Sequence, residues 1–283
     1  VSDVGVGRGS VDEVRAIQVR RCLDAAAVRA SLELAEAGSA WVARDQSEIV
    51  GVAIGRASNE ELFAGDVFVE ASYRGQGVGR ALLGAAFGEG GDTFRSMLTD
   101  PADPSSLALA ALYGLSLQTP VLRLAGAIPK EEELARMAAG DYRFEVDAVD
   151  ALRHGFALDA LDRETRGATR PGEHAAFARE ATGNLFLLNG EAVAYSYVWP
   201  DGRIGPIAAS SAAYLLQLFA YALVTIQRAH GASWCTLWVP GTNLRVLRAA
   251  LHAGLRIEES LAIASDAVMP DLSRYVGAHR IIF

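Results

Sequence analysis

The chain has 283 residues, 51% of them hydrophobic, and its 26 basic and 34 acidic side chains leave a formal charge of −8. That length predicts one large or two medium domains, with enough apolar residues to give each a core. The acidic balance argues against a nucleic-acid or anionic-membrane partner, and no apolar run reaches the roughly 18 to 20 residues that cross a bilayer. The glycine-rich opening Val1–Gly9 has no basic segment followed by an apolar one, so no signal peptide is read there and a cytoplasmic protein is expected. Cys22 and Cys235 lie far apart, and His154, His174, His230, His252 and His279 are scattered, so neither a disulfide nor a metal site is expected.

Helical patterning runs from Val11 to Ala37 and stops at Gly38. Ala40–Ala43 and Ile49–Ile54 read as strands joined by the turn-like Arg44–Glu48, and a third strand, Leu62–Val69, runs into a glycine-rich turn. Behind that turn, Ala81 to Phe87 carries helix-period apolar residues. Phe94–Leu98 reads as a strand, Ser105–Leu112 as a short helix and Val121–Leu124 as a strand. The stretch from Gly126 to Gly140 is polar and charged, which suits a connecting helix or linker. The order then begins again. Strands at Leu185–Leu188, Val193–Val198 and Ile204–Ala208 precede a long apolar helix, Leu215–Arg228, then a strand at Trp234–Val239 and a helix at Asn243–His252. Gly114-Leu115 and Gly254-Leu255 lie 140 residues apart, and Val69 set against Ile207 gives 138, which points to a tandem duplication.

The turn Arg74-Gly75-Gln76-Gly77-Val78-Gly79-Arg80 joins a strand to a helix. Glycines let an anion approach backbone N–H groups closely, and at a helix N-terminus those donors and the macrodipole favour negative charge. Arg74 and Arg80 add charged donors, so a pyrophosphate is the natural ligand. A dinucleotide fingerprint wants a third glycine or alanine where Leu82 stands, and it normally follows the first strand of its domain, although Asp100 lies at the spacing of a ribose contact. A Walker A loop lacks its Gly-Lys-Ser/Thr.

Val67-Phe68-Val69, Arg74-x-x-Gly77-x-Gly79 and Ala81-Leu82-Leu83 resemble the acetyl-coenzyme A signature of the GNAT superfamily of N-acetyltransferases. Asp100-Pro101 with Leu112–Leu115, and Val239-Pro240-Gly241-x-Asn243 with Gly254-Leu255, resemble its second conserved segment, so the likeness extends over the chain as a tandem pair. The resemblance implies an α/β (α+β) fold of two GNAT-like domains, each a mixed, mostly antiparallel, splayed sheet flanked by helices. Domains of 1–126 and 141–283 around a linker of 127–140 are expected. It also implies acetyl-coenzyme A as cofactor, with its pyrophosphate on Gln76–Arg80 and its pantetheine against Val67, Phe68 and Val69. The activity implied is direct acyl transfer to a primary amine of a small molecule or peptide, with an oxyanion donor on the backbone near Phe68 or Val69.

Catalytic groups are harder to place. The family's tyrosine acid falls on Ala110, so the nearby Tyr113 becomes the candidate acid, and Asp100 at the end of a strand the candidate base. The family's frequent glutamate falls on Phe63. The carboxylates around it, Glu60, Glu61, Asp66 and Glu70, read mostly as solvated charges, with Asp66 and Phe68 facing away from Val67 and Val69. A cofactor-facing asparagine corresponds to Asp103 in the first half and Asn243 in the second. In the second half Ala209–Tyr214 stands where glycines are needed, which leaves a scaffold, a pocket wall or a homodimer surface. Asp162-Arg163-x-x-Arg166 reads as a solvated helix face. The missing acid and base keep a non-catalytic acyl-coenzyme A-binding regulator open as the alternative.

Overall fold

The computed structural model describes residues 4–23, 25–88, 93–140, 142–170, 172–280 and 283. Two compact units divide the chain: residues 1–118 with 262–268 and 280–283, and residues 119–261 with 269–279. No single cut separates them, because two strands begin in one unit and end in the other.

In chain order the first unit holds β1 (Val4–Arg8), α1 (Val11–Arg20), α2 (Ala25–Glu36), β2 (Ala40–Asp45), β3 (Glu48–Ala57), β4 (Glu61–Val69), α3 (Val78–Phe87), β5 (Phe94–Thr99) and α4 (Pro104–Leu112). The helical stretch expected as one piece is two. Ser10 and Glu13 close a reciprocal capping box at the start of α1, and the chain turns at Cys22, whose φ of 56° no helix accommodates. Strands β1 to β4 form an antiparallel meander, and β4 then pairs in parallel with β5 from Glu61↔Phe94 to Ala64↔Met97. There the two strands part. The β3–β4 register slips at the same place, Gly55↔Ala64 being followed by Ile54↔Asp66, so Gly65 is an extra residue that bends β4. From Val67 to Val69, β4 keeps β3 on one side and, among the described residues, has no strand of this unit on the other. Residues Ala262–Ser265 cover the far edge of β5.

Asp66, next to the bulge, is buried on the α1 side with Phe68. Its carboxylate accepts from Gln18 (3.1 Å), Arg21 (3.0 Å) and Arg280 (2.7 Å), and Arg21 lies 4.3 Å from the Phe68 ring. Val67 and Val69 pack instead toward the α3 side, as strand alternation requires. Glu61 is buried too, held by Arg56 (3.0 Å) and Ser96 (2.6 Å). These two carboxylates are therefore structural ion pairs and not the solvated charges expected of them.

The second unit takes up most of β6 (Ser116–Ala127), then α5 (Glu131–Ala138), β7 (Glu145–Ala148), α6 (Ala151–Arg166), α7 (Glu173–Glu180), β8 (Thr182–Leu188), β9 (Glu191–Val198), β10 (Ile204–Ala209), α8 (Leu215–His230), β11 (Trp234–Pro240), α9 (Leu244–His252), part of β12 (Arg256–Ser265) and β13 (Tyr275–Val276). Its sheet runs β13-β10-β9-β8-β7, and β11 pairs with β6 from Trp234↔Ala127 to Pro240↔Val121. The charged stretch after β6 forms α5, which buries Leu134 in the same core as Leu218, Phe219 and Leu223 of α8.

The duplication is visible in the backbone. Phe63↔Ser96 is a parallel pair in the first unit and Arg203↔Thr236 a parallel bridge in the second; 203 − 63 and 236 − 96 are both 140. The bulge recurs as well, between Ile204↔Val198 and Ile207↔Ser196. One offset of 140 therefore replaces the two offsets read from the sequence, and Val67, Phe68 and Val69 correspond to Ile207, Ala208 and Ala209.

Two of the three charges in the α6 cluster are not solvated, while Arg163 is exposed. Asp162 and Arg166 are buried along the inner stripe with Leu158, Leu161 and Thr165. Asp162 accepts from the Tyr195 hydroxyl and from Arg170 Nε (3.4 Å), and its other oxygen meets His174 Nε2 (3.0 Å), whose Nδ1 meets the Tyr197 hydroxyl (3.0 Å). Burial pushes the Asp162 carboxyl up, but the Arg170 charge and the His174 hydrogen bond outweigh it and bring it down to about 2. A carboxylate depressed on folding adds stability that is whole above its ordinary value near 4 and is lost as pH falls toward 2. Asp162→Asn removes one carboxylate from the buried Arg170 guanidinium, leaving it Glu173 (3.4 Å), so a loss of about 3 kcal/mol at pH 7 is expected by urea denaturation, with the gap to wild type narrowing as pH drops from about 4 to about 2.

Candidate functional site

Strand β4 ends at Val69, and a single 3-10 turn at Ala71–Tyr73 carries the chain round to Arg74. Gly75 (φ 76°) and Gly77 (φ 86°) take left-handed conformations, and Gly77 is the N-cap residue of α3. Having no side chain, it leaves the first amides of α3 without a side-chain cap, directed to whatever lies beyond the helix end. The turn is braced from behind: Arg74 Nε donates to the Val69 carbonyl (3.1 Å), Gln76 Nε2 to the Ser72 carbonyl (2.8 Å) and the Tyr73 hydroxyl to Asp45 (2.9 Å). Val78, Leu82 and Leu83 anchor α3 in the core.

Turn, strand edge and the start of α4 enclose a cleft of about 330 Å³. One wall is Val67, Phe68 and Val69; its floor is Arg74, Gly75, Gly77, Gly79 and Arg80. The facing wall runs along α4, from its cap Asp103 and Ser105 to Leu109 and Leu112. Asp103 caps α4, accepting from the Ser105 amide (3.0 Å), and the Ser106 hydroxyl meets that of Thr99 (2.6 Å). A free strand edge suits an extended amide-bearing chain, and the uncapped amides between two arginines suit a pyrophosphate. A β-carbon added at Gly79 meets nothing closer than 3.6 Å, so the cradle is open and not filled by neighbours. The residues present fit coenzyme A, and no metal-ligand cluster occurs among the described residues.

Eight of the ten residues expected at the cofactor line this cleft. Of the other two, Gln76 braces the turn and Val78 is core. The two expected to carry proton transfer stand outside it. Asp100 accepts the Ala102 amide (2.8 Å) in its own turn. The Tyr113 hydroxyl donates to the Arg80 carbonyl (2.7 Å), with its ring edge-on to Phe87. Burial pushes that hydroxyl above the ordinary tyrosine value, which keeps it a donor. Sequence reasoning missed Ser105, Ser106, Leu109 and Leu112, although a capping aspartate followed by proline is itself the signature of a helix start.

The family model of the acetyltransferase (GNAT) domain matches residues 36–113, which contain the whole cleft. Residues 36–113 are thus similar to a GNAT acetyltransferase domain. The chemistry of that family is acyl transfer from acyl-coenzyme A to an amine. No curated protein sequence matches the chain. Solved structures do share the fold. A candidate acetyltransferase from Pyrococcus horikoshii is 15% identical over 100% of this chain and 97% of its own, with a TM-score of 0.73. A GCN5-related N-acetyltransferase from Sphaerobacter thermophilus is 13% identical over 94% and 96%, with a TM-score of 0.60. A tandem GNAT protein from the clavulanic acid biosynthesis pathway is 15% identical over 93% and 98%, with a TM-score of 0.57. The GNAT fold with its splayed sheet thus extends over both units, and no helix among the described residues is long and apolar enough to cross a membrane.

Gly77→Glu would set a carboxylate against the uncapped amides of α3, while a β-carbon there meets no atom within 4 Å. Left-handed strain costs about 1–2 kcal/mol, so the fold should survive by circular dichroism. Calorimetry should find coenzyme A affinity reduced by on the order of a hundredfold or more.

Proposed function

We propose that the first unit transfers an acetyl group from acetyl-coenzyme A directly to a primary amine of a small molecule or peptide. The observation that carries this reading is the glycine turn opening onto the free edge of β4 within one cleft. Acetyl-coenzyme A, when bound, supplies an activated thioester carbonyl. The amides of Gln76–Arg80, with Arg74 and Arg80, would hold its pyrophosphate, and the edge at Val67, Phe68 and Val69 would align its pantetheine arm. A backbone N–H near Phe68 or Val69 would then donate to the carbonyl oxygen as charge develops there.

An alkylammonium costs about 4.6 kcal/mol to deprotonate at pH 7, so a proton must leave before or during attack. Asp66 is nearest the bulge, but its carboxyl is held below the ordinary range by Arg280 and Arg21 in spite of burial, which makes it too weak a base. Asp100 and Tyr113 are the proton carriers to vary first. For Tyr113 the bond to Arg80 supports a brace beneath the cofactor turn.

A second reading, a non-catalytic acyl-coenzyme A-binding regulator, is favoured by the same two side chains standing outside the cleft and by buried Ala110 at the position of the family's acid. A thioester-consumption assay across a panel of amines separates the two. Turnover that Gly77→Glu abolishes supports the enzyme; tight coenzyme A binding with no turnover on any amine supports the regulator. Tyr113→Phe should weaken coenzyme A binding while leaving kcat within a fewfold. A drop in kcat of about 10²–10⁴ at unchanged affinity would instead make Tyr113 the acid.

A further inference from the structure

The second unit repeats the splay of the first but not its opening. Under the offset of 140, the counterparts of Val67 and Phe68 are Ile207 and Ala208, and both are paired: Ile207↔Val276 and Ala208↔Tyr275, antiparallel, with β13. Across the same gap Trp238 of β11 bonds Gly277 in both directions, its N–H donating at 3.0 Å and its carbonyl accepting at 2.7 Å. Strand β13 therefore lies between β10 and β11, in the place that no strand among the described residues of the first unit takes between β4 and β5.

We infer that this slot has a resident ligand, and that the ligand is the chain itself: residues 275–277 fill the backbone positions that an acyl-coenzyme A arm would use, so the second unit is a closed, cofactor-free copy. Three further observations carry it. Asn243, the counterpart of cleft-lining Asp103, gives its Nδ2–H to the Tyr275 carbonyl (2.9 Å), so the side chain expected to face a cofactor holds β13 instead. The Tyr275 ring is fully buried, and its hydroxyl accepts from Arg170, the guanidinium paired with Asp162. Gly205, the counterpart of the bulge residue Gly65, allows the approach: a β-carbon there would stand 2.7 Å from the Gly277 backbone and 2.9 Å from the Ala278 nitrogen.

The anion turn is closed by the same shift. Gly75, Gly77 and Gly79 correspond to Leu215, Gln217 and Phe219, which already belong to α8, and Leu215 and Phe219 are wholly buried. Helix α8 begins three residues earlier than the counterpart of Val78 would, so its first turn lies where the glycine loop would be. Backbone, asparagine and helix start all change together, from a site that receives a ligand to one that contains its own.

The inference rests on the coenzyme A reading of the first unit, but its test begins without the cofactor. In hydrogen exchange on the free full-length protein, amides of residues 204–209 and 274–278 should exchange on the order of a thousandfold or more slower than unstructured chain. Saturating coenzyme A should leave them unchanged while slowing residues 66–80, and calorimetry should give one coenzyme A per chain. Gly205→Ala should release 274–278 selectively. Unstructured-like exchange of 274–278 in the free wild type overturns the inference, as does a change there on adding coenzyme A or a stoichiometry of two. Failure of coenzyme A to bind would count against the proposed function alone, because the exchange of the free protein still decides whether β13 is seated.

Discussion

The parting of β4 from β5 after Ala64 and Met97 is the constraint on which the site depends. A sheet strand whose edge is abandoned in the interior leaves N–H and C=O groups that need partners, and burying them unpaired is costly. The Gly65 bulge directs β4 away from β5 and creates that demand at Val67–Val69. The same bend delivers the strand to a turn whose glycines leave the α3 amides open. Strand edge and helix end thus present two kinds of unpaired backbone to one cleft, one matched to an extended amide chain and the other to phosphate.

The two units show that a splay can be satisfied in two ways. In the first the gap is a cleft; in the second β13 supplies the missing strand. Filling the gap from within brings the ordinary rewards of a core. Ile207, Val276, Leu215 and Phe219 join one apolar cluster, and Tyr275 completes a polar network around Asp162. The first unit forgoes that burial and keeps its hydrogen-bonding capacity for something that arrives. The fixed charges follow the same division, since Asp66 sits at the bend behind the open strand while Asp162 and Arg170 lie beneath the closed one. A buried carboxylate matched to guanidinium fixes an arrangement more than it adds net stability.

Much of this was legible in the chain. The Arg74–Arg80 turn declares itself because left-handed dihedrals such as those of Gly75 and Gly77 favour glycine, and arginines flanking a helix start suit an anion there. Element order gave the duplication, since period-2 and period-3.6 patterns survive when residue identity does not. Asp162 and Asp66 were misread as solvated because charge predicts exposure unless partners are known, and their partners lie up to 214 positions away along the chain. Asp100 and Tyr113 were placed by proximity to a motif, and proximity does not say where a hydroxyl or carboxylate finds its hydrogen bond.

The sequence by itself determined the GNAT-like order of elements, the glycine turn at Arg74–Arg80 and the lack of glycines at Ala209–Tyr214 in the second half. These are local properties, written in dihedral preference, apolar period and side-chain type. Only the tertiary structure decided the rest: that the walls of the cleft include α4, that Asp162 and Arg166 of α6 are buried, and that a two-residue strand near residue 275 occupies the second splay. A segment that short has no periodicity to read, and its pairing is set by the edge it meets.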